Sequence, residues 1–159
     1  SPPMLRGGGQ ENGLRSATEA TAQIAAFAAA VEAGRTTLER DIAHMAQLKE
    51  ETLARLTALV PGIQRVGEGT APHILAVTLP GYKSEVVVRF LSDRGICLSS
   101  GSACHKGKPS HVYAALKLPK KELDGVLRIS FSYDTTLEDV EALADGLKAA
   151  QEQLFTSLS

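Results

Sequence analysis

The chain predicts an α+β domain built in two layers. Three observations carry that expectation. Long stretches with helical spacing of apolar residues lie near both ends, at Glu19–Leu59 and after Thr135. Between them come short β-branched runs separated by Pro-Gly and Gly turns. The 159 residues are 43% hydrophobic and 22% charged, the composition of one ordinary globular domain. Two long helices flanking a small set of strands make a two-layer packing.

The elements follow in order. Ser1 to Thr18 is glycine-rich, lacks apolar periodicity and reads as an extended arm. From Glu19 to Leu59 the pattern is helical: Ile24, Phe27 and Val31 recur, then Leu38, Ile42, Met45, Lys49, Leu53 and Leu56 continue one stripe with a single polar member. Gly34 marks a weak point, and Pro61-Gly62 ends the helix. Ile63–Val66 and Ile74–Leu79 are expected strands, the second closing at Pro80-Gly81. Ser84 is expected to cap a helix carrying Val87, Val88 and Leu91, stopped by Gly95. Ile96–Leu98 reads as a short strand and Ser99–Ser110 as a polar loop. Val112–Leu118 is a short helix stopped by Pro119, with a further turn over Lys120–Asp124. Val126–Ser132 alternates as a strand. Thr135 with Glu138 has the form of a capping box, and the last helix carries Val140, Leu143, Ala144, Leu147 and Leu154 on one face.

Composition excludes several function classes. Seventeen basic against eighteen acidic residues leave a net charge of -1, which argues against a module held to nucleic acid by phosphate contacts. No apolar run approaches the roughly 18 residues a membrane helix needs. The first residues lack the order of a signal peptide, so a cytoplasmic setting is expected. A chain opening on Ser is expected to be a processed, cut or separately expressed piece.

Two cysteines make no disulfide framework. Cys97 sits between Ile96 and Leu98 and is expected to be inert core. Cys104 lies among small residues, with His105, Lys106 and Lys108 close by to favour a thiolate. It suits a nucleophile, or is an incidental surface cysteine. Cys97, Cys104, His105 and His111 match no usual zinc spacing, so no metal site is expected. His44 and His73 read as structural. Gly7-Gly8-Gly9 is not a Walker A loop. Ser16 and Thr18, with Arg15, suit phosphate contacts, or Thr18 simply caps a helix. Arg128, mid-strand, suits a bidentate carboxylate, or pairs with an acid on a solvent face.

Four segments in one order carry a resemblance. They are Gly7-Gly8-Gly9-Gln10-Glu11-Asn12-Gly13-Leu14-Arg15-Ser16-Ala17-Thr18, Ala71-Pro72-His73-Ile74-Leu75, Ser99-Ser100-Gly101-Ser102-Ala103-Cys104, and Leu127-Arg128-Ile129-Ser130-Phe131. Together they resemble the C-terminal small-domain portion of the cysteine desulfurases, pyridoxal-phosphate enzymes of the class V aminotransferase superfamily. The resemblance implies a mainly antiparallel sheet covered on one side by helices, with residues 1–18 as an arm and 19–159 as the small domain. It implies that Cys104 takes sulfur from L-cysteine as a persulfide while alanine leaves. It implies that Arg128 clamps the substrate carboxylate, and that Thr18 bonds the cofactor phosphate of the other subunit of a homodimer.

The family's Schiff-base lysine belongs to a large domain upstream of the arm, and no Ser-x-His-Lys element occurs here. The resemblance therefore implies a full-length enzyme that uses pyridoxal phosphate, and a chain that alone is inactive and does not bind the cofactor covalently. The implied sulfur acceptors are proteins such as an iron–sulfur scaffold or a tRNA-thiolation enzyme, with no direct nucleic-acid or membrane contact. Two alternatives stand beside this reading: a stand-alone persulfide carrier, and part of a cystine or selenocysteine lyase. The sequence departs from the family pattern at Ala17, where a glycine is usual, and at His105-Lys106-Gly107-Lys108, in a shorter loop.

Overall fold

A computed structural model describes residues 2–101, 113 and 115–156. The chain divides into two compact units, Ser1–Glu39 and Arg40–Ser159.

The first unit holds the arm and helix α1 (Thr21–Arg35). The arm closes on itself. The Met4 amide donates to the Leu14 carbonyl at 2.7 Å, the Ser16 amide to Leu5 at 3.2 Å, and the Ser16 hydroxyl to Gly8 at 2.6 Å. A 3-10 turn over Gln10–Gly13 reverses the chain through left-handed Glu11 (φ 53°) and Asn12 (φ 54°). α1 forms because it is rich in alanine, the strongest helix former. It buries no residue: Ile24, Phe27 and Val31 are 56%, 73% and 51% exposed.

One expected helical stretch is thus two helices. α1 ends at Arg35, and α2 (Leu38–Leu59) begins three residues later, next to the weak point at Gly34. Of the expected stripe only Lys49 and Leu56 are buried, and Leu48 and Thr52, which lie outside it, are buried beside them. Lys49 is the stripe's polar member. Its ammonium donates to the carbonyls of Gly69 (2.7 Å) and Ala71 (2.9 Å), which replace lost water.

The second unit holds a four-stranded antiparallel sheet: β1 (Gln64–Arg65), β2 (Ile74–Thr78), β3 (Ser99–Ser100) and β4 (Val126–Ser130), in the order β1-β2-β4-β3. Helices α2, α3 (Ser84–Ser92) and α5 (Leu137–Gln153) cover one face. Leu75 and Val77 of β2, and Leu127 and Ile129 of β4, meet Leu48, Leu56, Val87, Leu91, Leu143 and Leu147 in one core. Side chains alternate along a strand, so Arg128 and Ser130 point to the opposite face with their cross-strand partners Ala76 and Ile74. A short helix, α4 (Lys120–Asp124), is tied to β2 by the Thr78 hydroxyl on the Glu122 carbonyl at 2.5 Å.

Several local expectations are corrected. The strand near residue 97 is Ser99–Ser100; Ile96–Leu98 is irregular, because after Gly95 (φ +78°) the chain is still turning out of α3. Cys97 is exposed rather than core, and among the described residues no strand pairs with it. It lines a cavity of about 340 Å³ between Ile96–Leu98 and Ile129–Phe131. The capping box is Thr136 with Asp139, one residue later than expected: the Asp139 amide donates to the Thr136 hydroxyl at 3.2 Å, and the Thr136 amide to Asp139 at 2.8 Å. Thr135 instead receives the Ser132 amide on its hydroxyl, at 2.9 Å, and meets His44 Nε2 at its carbonyl, at 2.8 Å. Ser84 is the first residue of α3 and makes no side-chain cap.

Candidate active site

The site is assembled around Arg128. β4 places its guanidinium on the face away from the core, where it is exposed. The register sets Ser99 directly opposite Arg128 across the β3–β4 ladder, and Arg128 Nη2 donates to Ser99 Oγ at 3.2 Å. Among the described residues Arg128 forms no salt bridge, so its charge faces outward without a carboxylate.

The strand leading to the cysteine loop is anchored at one further point. The Gly101 amide donates to the Val126 carbonyl at 2.8 Å. A side chain at Gly101 would lie 2.9 Å from Val126 Cβ and Cγ1 and 3.2 Å from Tyr113 Cε2, so only glycine allows this approach. Tyr113 packs there beside Arg128. Burial pushes its phenol above the usual range, and the Arg128 charge partly opposes that. Ser99 and Tyr113 escape a reading of the sequence alone, because strand register and a ring packed over Gly101 are facts of pairing.

Cys104 lies outside the described residues, as do His105 and His111. Its distance from the anchor is nevertheless bounded. Two residues, Ser102 and Ala103, separate it from Gly101, so the two Cα atoms are at most about 11 Å apart, three steps of extended chain.

Thr18 belongs to the first unit. It is exposed, and its carbonyl accepts from Arg15 Nη1 at 3.3 Å. The preceding Ala17 has φ +152°, a region that favours glycine. His73 is exposed at the start of β2, and its carbonyl receives the Phe131 amide at 2.9 Å, a structural contact. Among the described residues no three His, Cys, Asp or Glu side chains converge as metal ligands. No helix among them is long and apolar enough to cross a membrane.

One family model, aminotransferase class-V, matches residues 6–143. The chain belongs to the class-V aminotransferase family. Its relatives there include cysteine desulfurases. A NifS/IcsS protein homolog of Lactobacillus delbrueckii is 35% identical over 162 residues, covering 99% of this chain and 41% of that protein. The cysteine desulfurase NifS of Azotobacter vinelandii is 33% identical, covering 87% and 36%. Among solved structures, a NifS-like protein from Rickettsia africae superimposes with a TM-score of 0.80 at 26% identity, over 94% of this chain and 40% of that one. Another NifS-like protein gives 0.82 at 27% identity, over 96% and 39%. The chain therefore spans about 40% of the length of these class-V proteins.

Enzymes of this family use pyridoxal phosphate, and the described residues fit part of such a group's needs. The exposed Thr18 hydroxyl, with Arg15 next to it, suits a phosphate. The outward Arg128 fork suits the carboxylate of an amino-acid substrate, not the cofactor, which carries none. Lys49, buried, is committed to two carbonyls and does not fit the role of a Schiff-base lysine.

Proposed function

We propose that this chain is the C-terminal part of a pyridoxal-phosphate-dependent cysteine desulfurase. The observation that carries the reading is the Arg128 guanidinium, held outward by β4 with no acidic partner among the described residues, on the strand that pairs with the base of the cysteine loop. The desulfurase relatives, matched over nearly the whole chain at about 40% of their own length, support it.

In this reading Arg128 binds the carboxylate of L-cysteine and fixes where the substrate sulfur lies. Cys104, leashed near that clamp through Gly101, attacks the sulfur as a thiolate. The substrate's C–S bond breaks and an S–S bond forms. Carbon keeps the electron pair and takes a proton to become the methyl group of alanine, while sulfur leaves oxidised to the sulfane level in a Cys104 persulfide. Pyridoxal phosphate, when bound, supplies the electron sink that labilises bonds at the substrate carbons. Thr18 contributes a phosphate contact across a homodimer. The persulfide then passes to an acceptor protein, such as an iron–sulfur scaffold or a tRNA-thiolation enzyme, in the cytoplasm.

The lysine-bearing part of the site belongs to the remainder of the enzyme. The isolated chain is therefore expected to release no alanine, and borohydride is expected to fix no pyridoxal to it. The deciding experiment is alanine and sulfide release from L-cysteine by the complete enzyme. Cys104→Ala is expected to abolish sulfur transfer, and Arg128→Ala to raise KM for L-cysteine by about 10²-fold, as loss of a charge-assisted bidentate contact does. Retained turnover with L-cysteine in Cys104→Ala would overturn the assignment.

A further inference from the structure

We propose that Ser99 is a positioning residue for Arg128: its hydroxyl holds one arm of the guanidinium, so that the remaining N–H groups present a preset fork to the carboxylate of an amino acid. The identity of that carboxylate as L-cysteine rests on the function proposed above; the positioning itself does not.

The argument begins with mobility. An exposed arginine side chain samples many rotamers, and a fork binds a carboxylate well only when already oriented. Arg128 is exposed, and among the described residues no acid orders it. Among the described residues its guanidinium donates one hydrogen bond, from Nη2 to Ser99 Oγ at 3.2 Å. A guanidinium has five N–H donors, so this single bond leaves most of the fork for a ligand.

Ser99 is itself well mounted. Antiparallel pairing puts it opposite Arg128, and Ser100 opposite Leu127, which is buried. Gly101, two residues on, is bonded to the Val126 carbonyl at 2.8 Å and lies so close to Val126 and Tyr113 that a Cβ there would collide with Val126. The hydroxyl therefore stands on a short rigid strand while the guanidinium stands at the end of a long flexible stem. The rigid group orients the flexible one. Tyr113 stands near enough to Arg128 to feel its charge, and burial pushes its phenol up, away from ionisation. The same mount carries the chain toward Cys104, so Ser99 couples the orientation of the clamp to the base of that loop.

Two readouts test this. In the first, the ¹⁵N-labelled chain is titrated with sodium acetate, and the Arg128 guanidinium resonances are followed, assigned by their loss in Arg128→Lys. Acetate is expected to shift them in the wild type, about fivefold more weakly in Ser99→Ala, and with near wild-type affinity in Ser99→Thr, which keeps the hydroxyl. Equal titration of wild type and Ser99→Ala overturns the proposal, as does a wild type whose Arg128 does not respond to acetate while the fold stays intact. A Ser99→Ala chain that loses its native spectrum transfers the decision to Ser99→Thr: a titration weakened as much as in Arg128→Lys overturns the proposal, and a preserved one supports it.

In the second, the complete enzyme carrying Ser99→Ala is expected to show KM for L-cysteine raised about fivefold with kcat nearly unchanged. A fall in kcat at constant KM would overturn the positioning role. A wild-type enzyme with no desulfurase activity would overturn the functional reading instead, leaving the acetate titration to decide Ser99.

Discussion

At Ala17 the backbone has φ +152°, where a Cβ is strained by about 1–3 kcal/mol. Glycine relieves that strain at an entropic cost of about 0.5–1 kcal/mol. Ala17→Gly is therefore expected to make the arm more stable, slowing hydrogen exchange of the Ser16 amide, which is bonded to Leu5, about fivefold; unchanged or faster exchange would contradict the strain argument. Asp139 is the residue with the clearest pH consequence. The hydrogen bonds from Thr136, its amide first and its hydroxyl second, hold the Asp139 carboxyl below the usual carboxylate range. Its folded pKa is depressed, so its stabilisation is present above the ordinary aspartate pKa and is lost as pH falls through the lower folded value. Asp139→Asn should accordingly flatten the acid limb of a stability-versus-pH curve, measured by urea unfolding, and leave the neutral-to-basic limb parallel to wild type.

The elements are held by caps and by close approaches of backbone. α5 begins at the Thr136–Asp139 box, and Thr136→Ala is expected to cost about 1 kcal/mol in urea unfolding at neutral pH. Gly125 lies between α4 and β4, and its amide donates to Glu122 at 3.2 Å while its carbonyl accepts from Leu79 at 3.1 Å. A Cβ there would collide with the Leu79 carbonyl, which is backbone and cannot rotate away. Gly125→Ala is expected to destabilise by about 1–3 kcal/mol through overpacking, and a stability within error of wild type would show that the α4–β4 turn yields instead. β3, like β1, has only two residues. Two residues suffice because Gly101 extends its attachment to Val126, and because Ser99 needs only register, not length, to meet Arg128.

The two units differ in what stabilises them. All the buried apolar residues named in the core lie at or beyond Leu48, while Ser1–Glu39 has no buried residue among those described. A 15-residue helix with no packed face is marginal in water, even when alanine-rich. The chain with residues 1–39 removed is therefore expected to unfold at a urea midpoint close to that of the whole chain; a large drop would mean that the first segment contributes to the core. The exposed stripe of Ile24, Phe27 and Val31 is a surface that water covers poorly. Phe27→Glu is expected to reduce any concentration-dependent association of the isolated chain in sedimentation.

The α+β class, the order of helices and strands, and the core face of α5 were legible in the sequence, because apolar spacing records which side of each element is buried. So was the class-V family, whose four motifs keep their order along the chain. The sequence also marked Arg128 as a charge inside an apolar strand, since period-two alternation puts one face of that strand outward. Other features depended on pairing between distant segments. Ile24, Phe27 and Val31 have the spacing of a buried face and are exposed, because periodicity reports a helix's shape and not whether anything packs on it. Cys97 has apolar neighbours and is exposed, because β3 starts two residues later. Ser99 meets Arg128 only through the register of two strands 29 residues apart, a relation set by which backbone hydrogen bonds form. Local spacing determined the elements; long-range pairing decided which of their side chains face the core, the solvent or one another.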